Sequence, residues 1–229
     1  MSIQSHHAPT ARSTPPLAAG GSGFERRMDH GQLRRVEARE FLFVEGDPIS
    51  HLYRIETGVV ALYKVLADGR RQVMGFGYPG DLVGLGAEDE HAMNAQAIKP
   101  TRVRCLAVAS LRQSAERDPM LAFKLYQALA HELAATRDLM MTTGQRSALE
   151  RVSAFLIAFA KRNERNGQDP SQFDLPMTRA DIGDFLGLTI ETVSRTFTKL
   201  KLLGLIELPQ YSHVRLIDRK RLGALAQGS

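Results

Sequence analysis

Residues Thr178 to Leu203, TRADIGDFLGLTIETVSRTFTKLKLL, read as two short helices joined by a tight turn. Thr178 is placed to cap the first helix, and Asp181, three residues on, adds negative charge near the helix start. Ile182, Phe185 and Leu186 then supply its apolar face. Gly187 interrupts the pattern, since glycine enters a left-handed conformation without steric cost, and Leu188 follows as a packing residue. Thr189 can cap a second helix, on which Ile190, Val193, Phe197 and Leu200 recur at three- and four-residue steps and form the core side. Glu191, Ser194, Arg195 and Thr198 are left facing outward, near the N-terminal half that a helix-turn-helix inserts into the major groove. There Arg can pair bidentately with guanine, Glu can accept from a cytosine amino group, and Ser is adaptable. The same four residues would also make a solvated face braced by a Glu191–Arg195 ion pair at i, i+4. Spacing alone does not choose between the two.

The rest of the chain supplies context. Its 229 residues suit one large or two modest domains, and 43% hydrophobic with 24% charged residues is ordinary globular composition with enough apolar side chains for a sizeable core. A formal charge of +5 favours an anionic partner. The one cysteine, Cys105 in the apolar run VRCLAV, excludes a disulfide framework or a four-cysteine cluster within one chain and reads as a small buried hydrophobe. No window approaches the ~18 apolar residues of a membrane span and no signal-peptide core opens the chain, so a cytoplasmic protein without a membrane partner is expected. No phosphate-cradling Walker loop, HExxH pair or GxSxG elbow is present, which argues against an enzyme. No metal or cofactor site is expected either; His6 and His7 stand as an isolated pair.

Residues 1–24 are rich in Pro, Ser, Ala, Gly and His and read as a flexible tail. From Val36 to about Leu111 short apolar runs are broken by Gly, Pro and Asp, the pattern of an antiparallel sandwich or roll, with Asp68-Gly69 as a hairpin turn. Asp118-Pro119 then opens a long helix running to about Thr143. Along it Leu129, Leu133, Thr136, Met140 and Thr143 alternate four- and three-residue steps, close to a coiled-coil seam, with packing inside one domain as the alternative. Ser147 to Arg162 is amphipathic, and LIELPQYSHVRLID, beyond the opening motif, reads as two strands around a polar turn. Lys199, Lys201, His213, Arg215, Arg219, Lys220 and Arg221 concentrate positive charge at this end, where phosphates would lie.

The order EGDPISHLYRIETGVVALYK, a hairpin, then GFGYPGDLVGLGA, a long helix and LTIETVSRTFTKLK resembles the CRP/FNR transcription regulators over roughly residues 30–220. The resemblance implies an α+β fold: a β-roll of the cyclic-nucleotide-binding type over 25–117, a dimerisation helix over 118–146, and a winged helix-turn-helix over 147–229. It implies a homodimer on a palindromic, TTGAT-like site in double-stranded DNA, with RNA polymerase as a further partner. Glu191, Ser194 and Arg195 would read bases, and Thr178, Thr189, Thr192, Thr198, Lys199, His213 and Arg215 would contact the backbone or support the readers. Cyclic-nucleotide-binding members hold the phosphate with an Arg-Ser or Arg-Thr pair. The comparable stretch here, GLGAEDEHAMNAQA, supplies Glu88, Asp89 and Glu90 and no arginine before Arg102. Oxygen-sensing relatives carry cluster cysteines, which this chain lacks, and a haem branch would need an axial ligand such as His30, His51 or His91. The chain therefore looks like the FixK-like branch, whose members commonly activate genes for microaerobic respiration and nitrogen fixation. The alternative keeps the DNA reader and makes the β-roll a sensor for a cyclic nucleotide, a haem-bound gas or another effector. A third reading, a protein-interaction module without DNA, is opposed by the wing and the polar stripe.

Overall fold

The computed structural model describes residues 31–86, 89–144 and 147–228, with only the backbone described at 131, 132, 135 and 138–144. The N-terminal half is an antiparallel roll of β1 (Gln32–Val36), β2 (Phe41–Phe43), β3 (His51–Val65), β4 (Arg71–Gly77), β5 (Leu82–Val83) and β6 (Asn94–Ala107). Its strand order is β1-β6-β3-β4, with β2 on β6 and β5 on β3. The two long strands pair from His51↔Ala107 to Tyr63↔Asn94, and register shifts between Ile55 and Val60 bend them into the roll.

Burial on both faces of β3 shows how the halves of the chain meet. Successive strand residues point to opposite faces. Val60 and Leu62 pack into the roll with Val36, Phe43, Tyr53, Ile55 and Val103. Their neighbours Ala61 and Tyr63 lie on the other face, where Val73, Phe76 and Phe185 complete a second cluster. Phe185 belongs to the motif quoted above, so the roll's outer face is covered by the C-terminal half. Gly69, at φ 82°, takes the left-handed position in the β3–β4 turn.

Helix α1 (Val108–Arg117) follows β6 directly, where the sequence reading had continued a strand pattern. Its Leu111 is buried with Leu52 and Leu121. Helix α2 (Pro119–Gly144) begins where the Asp-Pro pair predicted, with Asp118 Oδ1 accepting from the Met120 and Leu121 N–H groups at 3.1 and 3.3 Å. Of the predicted seam, Leu129 and Leu133 are about half exposed and Thr136 is exposed. The side chains of Met140 and Thr143 lie outside the described residues, as do residues 1–24, His30 and Glu88. Tyr126, 65% exposed, carries the four-three alternation one step upstream of Leu129, and Phe123 and Met120 lie exposed beyond it. No helix among the described residues is long and apolar enough to cross a membrane.

The C-terminal half comprises α3 (Ala148–Arg165), β7 (Gln172–Asp174), α4 (Arg179–Leu186), α5 (Ile190–Leu202), β8 (Ile206–Glu207), β9 (His213–Leu216) and α6 (Arg219–Ala226). Helix α3 opens on a reciprocal capping box between Ser147 and Glu150. The three strands form a small sheet in the order β7-β9-β8. Val152, Leu156, Ile182, Leu186, Val193, Leu200, Leu205, Ile206, Val214 and Leu222 share one dry core.

Candidate nucleic-acid interface

The reading motif is built from local signals. Thr178 and Asp181 cap α4 reciprocally: the Thr178 hydroxyl accepts from the Asp181 N–H at 3.1 Å, and Asp181 Oδ2 accepts from the Thr178 N–H at 2.9 Å. The helix ends at Gly187 with φ 65°, and Arg151 of α3 donates to the Leu186 carbonyl at 3.0 Å, satisfying one of the last carbonyls. Thr189 caps α5 by accepting from the Thr192 N–H at 3.2 Å. Val193, Phe197 and Leu200 are fully or almost fully buried, as their spacing predicted. Ile190 is not: it is 45% exposed, because as the first helical residue it lies beyond the reach of α4.

Glu191, Ser194, Arg195 and Thr198 are all exposed and, at 100° per residue, fall within about 100° of arc on the first turns of α5. Glu191 and Arg195 form no salt bridge among the described residues, so the solvated-face reading loses its brace. The Glu191 carboxyl is held below the usual carboxylate range by its own backbone N–H, by the Thr189 hydroxyl and by the charge of Arg195. It is therefore ionised, an acceptor-only group, throughout the neutral range. Thr198 spends its hydroxyl on the Ser194 carbonyl at 3.1 Å, which suits support better than reading. Lys199 is exposed beside it. The macrodipole adds partial positive charge at the same end of α5, toward which a DNA backbone would be drawn.

The basic residues of the wing stand in pairs with acidic ones. Arg215 donates to Glu207 at 2.9 Å across the β8–β9 pair, and His213 Nδ1 meets Asp174 at 3.0 Å across β7–β9. Arg219 donates to Glu164 at 2.7 Å, tying α6 to α3. Both predicted wing residues thus stand on the strands that carry the turn, each beside an exposed carboxylate.

One residue of this site escaped the sequence reading. Arg179, the first residue of α4, is 4% exposed. Its guanidinium carbon lies 3.5 Å from the centroid of the Phe197 ring and 5.1 Å from that of Tyr211, and Nη2 donates to the Tyr211 carbonyl at 3.0 Å. Burial pushes its pKa down, opposed by Tyr211. A planar cation between two rings fastens the wing turn to the reading helix, a task a lysine would not reproduce. The available signal was its position immediately after the N-cap, where an arginine gains nothing from the helix dipole.

The stretch comparable to the family's phosphate-binding loop has no arginine between Gly84 and Ala97. In that stretch the buried His91 lies stacked on Phe43, ring centroids 3.6 Å apart at 8°. A Cβ on Gly84 would lie 3.2 Å from the His51 carbonyl oxygen and 3.4 Å from His91 and Tyr53. The nearby cleft of about 170 Å³ between Leu85, Leu111 and Leu125 is smaller than the ~300 Å³ that small-molecule sites begin at. His51 bonds Ser50 through Nδ1 at 2.9 Å, and burial holds His91 below the ordinary histidine pKa against the charge of Asp47. Both histidines are accounted for by packing and local hydrogen bonds.

Comparison with known proteins agrees with this geometry. Residues 150–225 match the Crp-like helix-turn-helix domain, and residues 33–118 match the cyclic nucleotide-binding domain. The nitrogen fixation regulation protein FixK of Bradyrhizobium diazoefficiens is 40% identical over 202 residues, 88% of this chain and 85% of that protein. The transcriptional activatory protein AadR of Rhodopseudomonas palustris is 39% identical over 203 residues, 89% and 83% of the two chains. The structure of FixK2 from Bradyrhizobium japonicum superposes with a TM-score of 0.81 at 37% identity, covering 85% of this chain and 96% of that one. The chain, with its β-roll, long helix and winged reading motif, belongs to the CRP/FNR family of DNA-binding transcription regulators.

Proposed function

We propose that this regulator acts in the cytoplasm as a homodimer that binds a palindromic, TTGAT-like site and, through contacts with RNA polymerase, activates genes of microaerobic respiration or nitrogen fixation. The observation that carries the reading is the stripe of Glu191, Ser194 and Arg195, exposed on a helix whose opposite face, Val193, Phe197 and Leu200, is packed in the core. Glu191, Ser194 and Arg195 read base edges; Thr178, Thr189, Thr192, Thr198, Lys199, His213 and Arg215 support them or meet phosphates. The exposed line of Tyr126, Leu129 and Leu133 on α2 supports pairing with a second copy, since apolar residues at alternating three- and four-residue steps are the pattern of a two-helix seam. Division into 25–117, 118–146 and 147–229 draws support from the matched regions at 33–118 and 150–225. Names of the relatives, a nitrogen fixation regulator and a transcriptional activator, support the choice of gene class and of activation. The stack of His91 on Phe43 supports binding without a nucleotide.

Selection of bound sequences from random duplex DNA, with no effector added, tests the reading. The expected product is a two-fold symmetric site whose half-sites lie one DNA turn, about 34 Å, apart. Recovery of asymmetric sequences, or enrichment only after adding a cyclic nucleotide, would overturn it.

A further inference from the structure

Helix α4 is held from two sides. Ile182 and Leu186 enter the C-terminal core with Val193 and Phe197 of α5, while Asp181, Asp184 and Phe185 meet the β3–β4 hairpin of the roll. Arg71, the first residue of β4, reaches between the two carboxylates. Its Nε donates to Asp184 Oδ2 at 2.8 Å, and its Nη2 donates to Asp181 Oδ1. Asp181 therefore divides its oxygens, one capping α4 through Thr178 and the other bonded to the roll. The Gln72 side chain donates to the Asp184 carbonyl at 2.9 Å, and the Phe76 and Phe185 rings lie 5.3 Å apart. On the other side of the same junction, Arg162 of α3 sits 4.0 Å above the Tyr78 ring and 3.3 Å from Asp81.

The Arg71 contact differs from a surface ion pair. The side chains of Arg71, Asp181 and Asp184 are 26%, 11% and 33% exposed, so the bonds are partly desolvated and charge-assisted. Removing the guanidinium leaves two carboxylates one helical turn apart without the cation between them. Both are on the helix that packs against the reading helix, so any rotation of α4 carries α5 with it.

We propose that Arg71 is a positioning residue for DNA recognition. By bridging Asp181 and Asp184 it sets the angle at which the roll presents the helix-turn-helix, and thereby aligns the two reading helices of a dimer with both half-sites at once. This rests on the homodimer and palindrome proposed above. A single reading head binds a half-site whatever its angle to the roll, whereas two linked heads gain avidity only when their geometry permits simultaneous engagement.

The test compares the full-length protein with Arg71→Gln on two duplexes, the selected palindrome and one carrying a single half-site. The expected result is a loss of at least about tenfold in affinity for the palindrome with less than about twofold change on the half-site, because avidity alone is affected. Inserting one base pair between half-sites should cost the variant less than the native protein. Charge exchange, Arg71→Asp with Asp184→Arg, should recover binding to the palindrome. Equal losses on both duplexes, or no loss on either, overturn the proposal. Asp184→Asn, which spares the Thr178–Asp181 cap, is the parallel variant should Arg71→Gln unfold; unfolding of both makes the contact a stability element only and also overturns it. Sedimentation separates the two readings: a native monomer bound to the palindrome overturns the dimer and the role of Arg71 together, whereas a dimer with equal losses overturns only Arg71.

Discussion

Gly183 and Gly223 are both interior glycines of short helices, and substitution by alanine is expected to act in opposite senses at the two. At Gly223 in α6 a new Cβ meets nothing within 4 Å, so the helix simply gains alanine's backbone preference, about 0.5–1 kcal/mol. At Gly183 in α4 it would lie 2.6 Å from the Leu188 carbonyl oxygen, and ordinary contact at 3.4 Å requires the turn to retreat by about 0.8 Å. That turn is held by the Leu188 N–H donating to the Gly183 carbonyl at 2.9 Å and leads straight into the Thr189 cap of the reading helix. Overpacking of a fixed backbone costs about 1–3 kcal/mol, which the ~1 kcal/mol helix gain offsets only in part. The two variants should therefore differ by about 1–3 kcal/mol, and, at roughly 4–8 °C per kcal/mol, by some 5–20 °C in the unfolding temperature of the C-terminal half. Scanning calorimetry of each full-length variant measures this. Gly183→Ala should also weaken specific DNA binding, since the displaced segment carries Thr189 and Glu191, while Gly223→Ala should bind normally. Were Gly183→Ala as stable as Gly223→Ala, the close approach of α4 to the turn would be wrong.

Arg195→Ala should lose roughly 1–3 kcal/mol of affinity for the selected site while salt-dependent binding to random DNA survives; equal loss on both in a titration would remove it from the base readers. Replacing Tyr126 and Leu129 together by Glu should shift sedimentation from dimer to monomer, because both stand exposed on α2, and an unchanged coefficient would exclude this face from the interface. His91, with its pKa depressed by burial, keeps its packing stability above the unfolded-state value of about 6.5 and loses it as pH falls through the lower folded-state value. Denaturant melts at about pH 7.5 and about pH 5.5, either side of the free histidine value of about 6.5, should show a larger loss for the native protein than for His91→Gln; identical losses would mean His91 is not buried neutral.

Much of the reading motif was legible because its determinants are local. Thr178, Asp181, Gly187 and Thr189 act on backbone groups within a few residues of themselves, so residue type and spacing suffice to place both helices. The buried stripe of Val193, Phe197 and Leu200 followed from helical period in the same way. Ile190 fitted the period but not the packing, since burial at a helix end depends on whether a neighbour extends that far. Tyr126 was within reach of the four-three pattern had it been followed upstream from Leu129.

By itself, then, the sequence determined the elements of this protein: the strand-and-turn rhythm, the long helix, the caps and the polar stripe of α5. Only the tertiary structure decided that Arg179 lies buried between Phe197 and Tyr211, that His91 stacks on Phe43, and that Arg71 spans more than a hundred positions to hold Asp181 and Asp184. Caps and periodicities are contacts between residues near in the chain, whose geometry the backbone fixes in advance. These three contacts join surfaces brought together by packing, and one sequence has no spacing rule that records which arginine will meet which ring or carboxylate.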